Sequence, residues 1–398
     1  MHIFEAPLGK IILLIVAISV IVFVGSFIEY PKEIVIQSPQ TPEEGLLEIS
    51  VEEIEENPPV EEKTENEKLI DVKDSEPEEE IAIEPDIPEE TEEASSQAGE
   101  EEVVIVVPEE KVPTKSLNQI NTDIAGAVMN ILCSSSGSGT LESTTGSGVF
   151  IDPRGVIITN AHIAQYFLIK DYPIPNAIEC VGRIGSPAKT HYTLELLHIS
   201  KQWVEEHAKD IRIQEPKGTG EHDFAFLVVT GRTDPSAKLP SSFPYVEPNV
   251  SENGFKVGEE MLVRSYPAGL LGGISIQKDL YAVATIVKIM KLFTFETTNL
   301  DLISIGGSIA AQGGSSGGAV IDKFGFLKGI IVTSSREETT GERDLRAFTL
   351  SHVARDLKEY ENTTIGDLVS GDVVSKASDF GLNRAPELTK LLTDVLDK

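Results

Sequence analysis

Residues 145–163 read TGSGVFIDPRGVIITNAHI, two short apolar runs set between glycines and a polar corner. Each run is rich in Val and Ile and too short for a helix, so both read as strands. Between them Asp152-Pro153-Arg154-Gly155 places Pro second and Gly fourth in a type I turn, which makes residues 148–159 a β-hairpin. Directly beyond it, residues 162–170 carry apolar side chains at helical spacing, so the hairpin is expected to deliver His162 to the start of a helix.

The same texture continues outward. Short apolar runs at 127–133, 178–182, 224–229, 261–265, 281–289, 302–305, 319–322 and 327–332 are separated by Gly, Pro and Asn, with no long helical pattern between them. This reads as an all-β body, barrel or sandwich, over residues 115–360, closed by a helix near 351–360. In the tail, 361–398, Leu388, Leu391, Leu392, Val395 and Leu396 share one helical face and are expected to pack on the body. Residues 183–220 read as an inserted surface segment with a charged helix at 201–210 that includes Trp203.

Charge divides the chain sharply. Of the net −32, residues 41–110 hold 28 acidic residues against three lysines, whereas residues 111–360 hold 27 acidic and 24 basic ones. The body is therefore nearly neutral, and no basic patch points to nucleic acid. Residues 29–114, Glu- and Pro-rich and poor in aromatics, read as a disordered acidic stalk, with one strand-like island at 103–107, VVIVV. Ahead of it, after a ten-residue flank (1–10), residues 11–28 contain no charge and are about 27 Å long as a helix, enough to span a bilayer. The expected arrangement is a single-pass signal anchor in the cell membrane with the body extracytoplasmic, a cleaved signal peptide being the alternative. Cys133 and Cys180 fit one disulfide in such a compartment or two small buried residues, and no Cys/His spacing suggests a metal.

Three motifs carry the chemistry. The first is the hairpin ending in Thr159-Asn160-Ala161-His162; the second is residues 221–227, EHDFAFL; the third is residues 311–320, AQGGSSGGAV. Serine nucleophiles need an imidazole base, a carboxylate that fixes its tautomer, and backbone N–H groups that receive an oxyanion. Glycines around Ser315 and Ser316 supply the backbone freedom for the last of these. Asp223 opens an apolar run, where an unpaired charge is costly. His222, beside it, is expected on the opposite strand face and solvated, and His191, His198, His207 and His352 are read as structural.

In this order, GSG, TNAH, DFAFL and GGSSGG resemble the trypsin-like serine peptidases, within them the HtrA-type branch. The resemblance covers about 120–360 and implies two packed antiparallel six-stranded β-barrels with a cleft between them. It makes Ser316 the nucleophile, His162 the general base and Asp223 the orienting carboxylate, with the amides of Gly314 and Ser316 as oxyanion donors. Ser315 is the competing nucleophile. By the same likeness the S1 pocket would lie at Ala310 and at Thr333, Ser334 and Ser335, and the absence of an acidic floor suggests a small or medium apolar P1 residue. The implied activity is cleavage of protein or peptide substrates without metal or organic cofactor. A catalytically silent binding protein and a small-ester hydrolase are the rival readings. The 38 residues after the body are too few for the PDZ domain of many HtrA-type proteins. The oligomeric state stays open.

Overall fold

The computed structural model describes residues 32–33, 115–135, 141, 143–213, 218–295, 298–335 and 339–398. The chain divides into two units, Met1–Ile36 with Lys111–Lys398, and Gln37–Glu110. The expected membrane span at 11–28, the island at 103–107 and all of the expected stalk except Lys32–Glu33 lie outside the described residues. Among those described, no helix is long and apolar enough to cross a membrane.

After strand β1 (Lys32–Glu33) and helix α1 (Leu117–Asp123), the opening hairpin forms as read. Strands β3 (Thr144–Asp152) and β4 (Val156–Thr159) pair antiparallel, with Val149 opposite Ile158. Gly155 at φ 92° closes the turn by donating its N–H to Asp152 O (3.0 Å). Strands β2 (Val128–Ser135), β5 (Ile178–Ile184), β6 (Lys189–Ile199) and β7 (Ala225–Arg232) complete a closed barrel in the order β2-β3-β4-β7-β6-β5. Cys133 and Cys180 are register partners on β2 and β5 and are joined by a disulfide.

Residues 189–199 correct one reading. They are a barrel strand and no surface insert, so the extra length begins only at helix α3 (Lys201–His207) and the single 3₁₀ turn Ala208–Asp210 that continues it. The alternation of Tyr192, Leu194 and Leu196, all buried, was the missed signal.

The second sheet contains β8 (Glu260–Ser265), β9 (Val283–Lys288), β10 (Lys291–Thr294), β11 (Leu302–Ser304), β12 (Ala319–Ile321), β13 (Leu327–Ser334) and β14 (Leu345–Thr349). Its hydrogen-bonded order is β1-β10-β11-β14-β13-β12-β8-β9. It differs from a second closed barrel because β9 and β10 are two halves of one strand interrupted at Ile289-Met290. These halves lie toward opposite ends of the order, so the covalent chain bridges what the ladder leaves open.

Alternation sorts the core. Met129, Ile131, Phe150, Ile157 and Leu227 fill the first barrel, while their strand neighbours Val128, Val149, Ile158, Phe226 and Val228 join Leu262, Tyr266, Ile321, Leu327 and Ile330 between the sheets. Met261, Val263, Val287, Ile303, Val320, Ile331 and Ala347 fill the second sheet's own core. Helix α4 (Gly273–Lys278) lies in the loop after β8, and α5 (Leu350–Tyr360) follows β14 and buries Val353 and Leu357 in the inter-sheet cluster.

The tail holds more than one helix: α6 (Ile365–Val369), α7 (Val373–Asn383) and α8 (Ala385–Leu396). Pro386 opens α8, where a missing N–H costs nothing. The apolar face of α8 packs on the body, Leu388, Leu392 and Leu396 joining Trp203, Val204 and Ile211 in one cluster.

Candidate active site

The hairpin ends where the sequence places it. Asn160 precedes helix α2 (Ala161–Leu168), so His162 sits in its first turn beside the edge of the barrel. Asp223 stands just before β7, and its carboxylate meets His162 twice. Oδ2 lies 2.7 Å from the His162 Nδ1, and Oδ1 accepts the His162 backbone N–H at 2.8 Å. Asn160 Nδ2 donates to Asp223 O (2.9 Å), fixing the backbone of the same residue. The imidazole side chain is 27% exposed and the carboxylate 7%, so the ring reaches the cleft while its partner is shielded. An acceptor on Nδ1 sets the tautomer that leaves Nε2 as a base.

The glycine-rich loop crosses the cleft from the second sheet. Ser316 is half-buried and lines the cleft with His162 and Asp223. Ser315 is fully buried and its hydroxyl accepts from Ser265 Oγ at 3.2 Å, pointing into the second sheet. That contact separates the two serines, which the sequence alone leaves in competition. Ser315 N–H is used on Gln312 O (3.2 Å), whereas among the described residues the N–H groups of Gly314 and Ser316 have no acceptor. Two open donors therefore flank an occupied one.

The GSG motif holds this loop. Ser147 Oγ donates to Gly314 O (2.8 Å) and accepts the Tyr266 N–H (2.9 Å), and the Ser147 N–H donates to Ser316 O (2.7 Å). Gly317 sits at φ 80°, and a Cβ there would lie 2.1 Å from Ser147 O. Close approach of the two sheets thus demands glycine. Ser147 is thus a brace for the loop that local sequence pattern does not reveal.

The cleft, about 310 Å³, is walled by Thr144, Thr145, Tyr166 and Val332 and by residues of the extra segment. Trp203 stacks on His207 (centroids 5.2 Å apart, planes at 20°), and His207 Nδ1 lies 3.1 Å from Asp210 Oδ2. His207 was read as structural, but it lines the cleft. Of the four residues expected at S1, two have described side chains. Ala310 is in the core of the second sheet, and Ser335 is engaged with Asp344, accepting its N–H on Oγ (2.8 Å). The side chains of Thr333 and Ser334 lie outside what is described.

One expectation is corrected. His222 is not solvated: it is 5% exposed, and its Nδ1 hydrogen-bonds Asp356 of α5. His198 and His352 are buried as well, the latter with Nδ1 3.2 Å from Asp301. Among the described residues, no group of His, Cys, Asp and Glu could hold a metal ion.

Residues 146–330, somewhat less than half of the chain, match the family model of the trypsin-like peptidase domain. No curated protein matches the chain. Among solved structures it is similar to the HtrA-type protease AlgW with a tripeptide, at 18% identity over 63% of this chain and 65% of that one, TM-score 0.38. It is also similar to Deg5 (16%, 60% of this chain and 90% of that one, 0.38). A serine endoprotease from Yersinia pestis gives 20%, 63%, 68% and 0.39. The chain spans just under two thirds of the AlgW chain.

Proposed function

We propose that the chain is a serine endopeptidase that works through Ser316, His162 and Asp223, on protein or peptide substrates. The observation that carries this is the doubly hydrogen-bonded His162–Asp223 pair facing the one serine of the loop that lines the cleft. In this reading Ser316 Oγ attacks the scissile carbonyl as His162 Nε2 takes its proton, forming a tetrahedral intermediate. The N–H groups of Gly314 and Ser316 receive the oxyanion, and Asp223 stabilises the imidazolium formed beside it. His162 then protonates the leaving amine, and water releases the acyl group from Ser316 by the same steps. The lack of an acidic side chain at Ala310 supports a preference for a small or medium apolar P1 residue.

The body is further proposed to work outside the cytoplasm, tethered to the cell membrane through residues 11–28. The uncharged apolar run supports the tether, and the Cys133–Cys180 bridge suits an oxidising compartment.

The test is fluorophosphonate labelling of the full-length chain beside Ser316→Ala and Ser315→Ala, with the labelled peptide identified by mass spectrometry. Labelling abolished only by Ser316→Ala, with casein cleavage lost in parallel, is the expected result. Labelling that survives Ser316→Ala and disappears with Ser315→Ala refutes the assignment of the nucleophile.

A further inference from the structure

Asp223 is one of two adjacent residues gripped from opposite sides. His222, immediately before it, takes φ 60°, a backbone region few side chains other than Asn, Asp and His enter. Its ring is buried, hydrogen-bonded through Nδ1 to the Asp356 carboxylate, and met edge-on by Tyr360 (centroids 4.9 Å apart, planes at 77°). Asp356 and Tyr360 are one helical turn apart on α5, which follows β14 without a break and is capped by Thr349. A helix continuous with the second sheet therefore holds the residue that precedes Asp223 in the first barrel. The turn between is tight: Asp223 N–H donates to Gly220 O (3.2 Å), and Phe224 N–H to His222 O (2.8 Å).

We propose that His222 and Asp356 are positioning residues, a buried pair that fixes the turn at residues 220–224 and so the angle at which the Asp223 carboxylate meets His162. This rests on the triad reading above. Both Asp223 oxygens are committed to His162, one to the backbone and one to the ring, so a small rotation of the turn breaks one contact or the other. The second oxygen of Asp356 has no partner among the described residues, so the helix spends that carboxylate on His222 alone.

The charges around the ring agree. Burial pushes the His222 imidazole down, but the hydrogen bond and charge of Asp356, with Glu221 on its own turn and Glu206 from α3, outweigh this and leave it raised. The other titratable groups near the pair are Tyr360 and, on β6, His198, which also feels Asp356, Glu361 and Arg384. The pair is an imidazolium–carboxylate on the acid side of that raised value. It weakens as pH rises through it.

The test compares the full-length wild type with Asp356→Asn, Asp356→Glu and the double variant His222→Asn/Asp356→Leu. The double variant leaves no unpaired buried charge, and Asn tolerates φ 60°, which guards against simple unfolding. Casein turnover is measured across pH, with thermal unfolding and the downfield proton resonance of His162 Nδ1–H. Expected are a folded Asp356→Asn with kcat lowered up to about 100-fold at unchanged KM, a shifted His162 resonance and loss of one alkaline limb. The double variant should show the same kcat loss, and Asp356→Glu a partial rescue. A folded Asp356→Asn or double variant with wild-type kcat, pH profile and resonance overturns the proposal alone. A wild type that neither labels with fluorophosphonate nor cleaves casein overturns the triad reading, and this inference with it.

Discussion

Replacing His198 with phenylalanine should make the protein more resistant to acid, by an amount the structure sets. His198 lies among Phe224, Phe226 and Phe380, with ring centroids 6.2–6.4 Å away, and its Nε2 has no hydrogen-bond partner among the described residues. Burial pushes its pKa from 6.5 down to about 4. Above pH 6.5 the ring is neutral folded and unfolded, so it contributes no pH dependence there. As pH falls from 6.5 towards 4, the unfolded chain takes up a proton that the native site refuses, and stability drops. By pH 4 the loss is about 3 kcal/mol, since each pKa unit corresponds to about 1.4 kcal/mol. Phenylalanine fits the aromatic slot and cannot protonate. Urea unfolding of the full-length chain and of His198→Phe at pH 7.5 and pH 4 therefore isolates the effect, because carboxylates common to both proteins cancel in the difference. The variant's advantage should be about 3 kcal/mol larger at pH 4. Equal differences at the two pH values would refute the neutral, buried assignment of His198.

Four further outcomes follow from the site and its supports. Asp223→Asn should leave the fold intact and lower kcat by about 10⁴, because the amide favours the wrong His162 tautomer; progress curves on a chromogenic peptide measure it. Gly317→Ala forces a Cβ into Ser147 O, so fluorophosphonate labelling should vanish together with a loss of melting temperature. Reduction of Cys133–Cys180, which closes 47 residues, should cost about 4 kcal/mol by the loop-entropy relation, read from urea midpoints with and without reductant. Leu392→Ala removes a fully buried side chain from the cluster that carries Trp203, so denaturant titration should show about 2–5 kcal/mol lost.

Much of the barrel could be read from the sequence because its strands announce themselves locally. Residues 145–163 hold hairpin, turn and helix start in nineteen positions, and the order of three motifs places His162, Asp223 and Ser316 before any coordinate is known. Strand β6 escaped because the alternation of Tyr192, Leu194 and Leu196 runs out at Leu197 and His198, where consecutive residues are buried. The choice between Ser315 and Ser316 turns on a hydroxyl contact with Ser265, fifty positions away. His222 shows the same limit more strongly: it precedes β7 at φ 60°, where period-two alternation does not hold, and its partner Asp356 is 134 residues downstream. Within a strand local pattern says which way a side chain points, and only the packed chain says what waits there.

The packing of α8 has a consequence for the order of events during synthesis. Its apolar face covers α2 and the segment bearing Trp203, and Lys201 pairs with Glu387 across the same seam. The strands of the first barrel leave the ribosome first, yet the helix that braces the cleft wall is made some 150 residues after β7. At about 5–20 residues per second, the barrel waits on the order of ten to thirty seconds for its brace. Through that interval the nascent chain exposes the apolar seam around Trp203 and Val204, and a chain stopped before residue 385 never covers it.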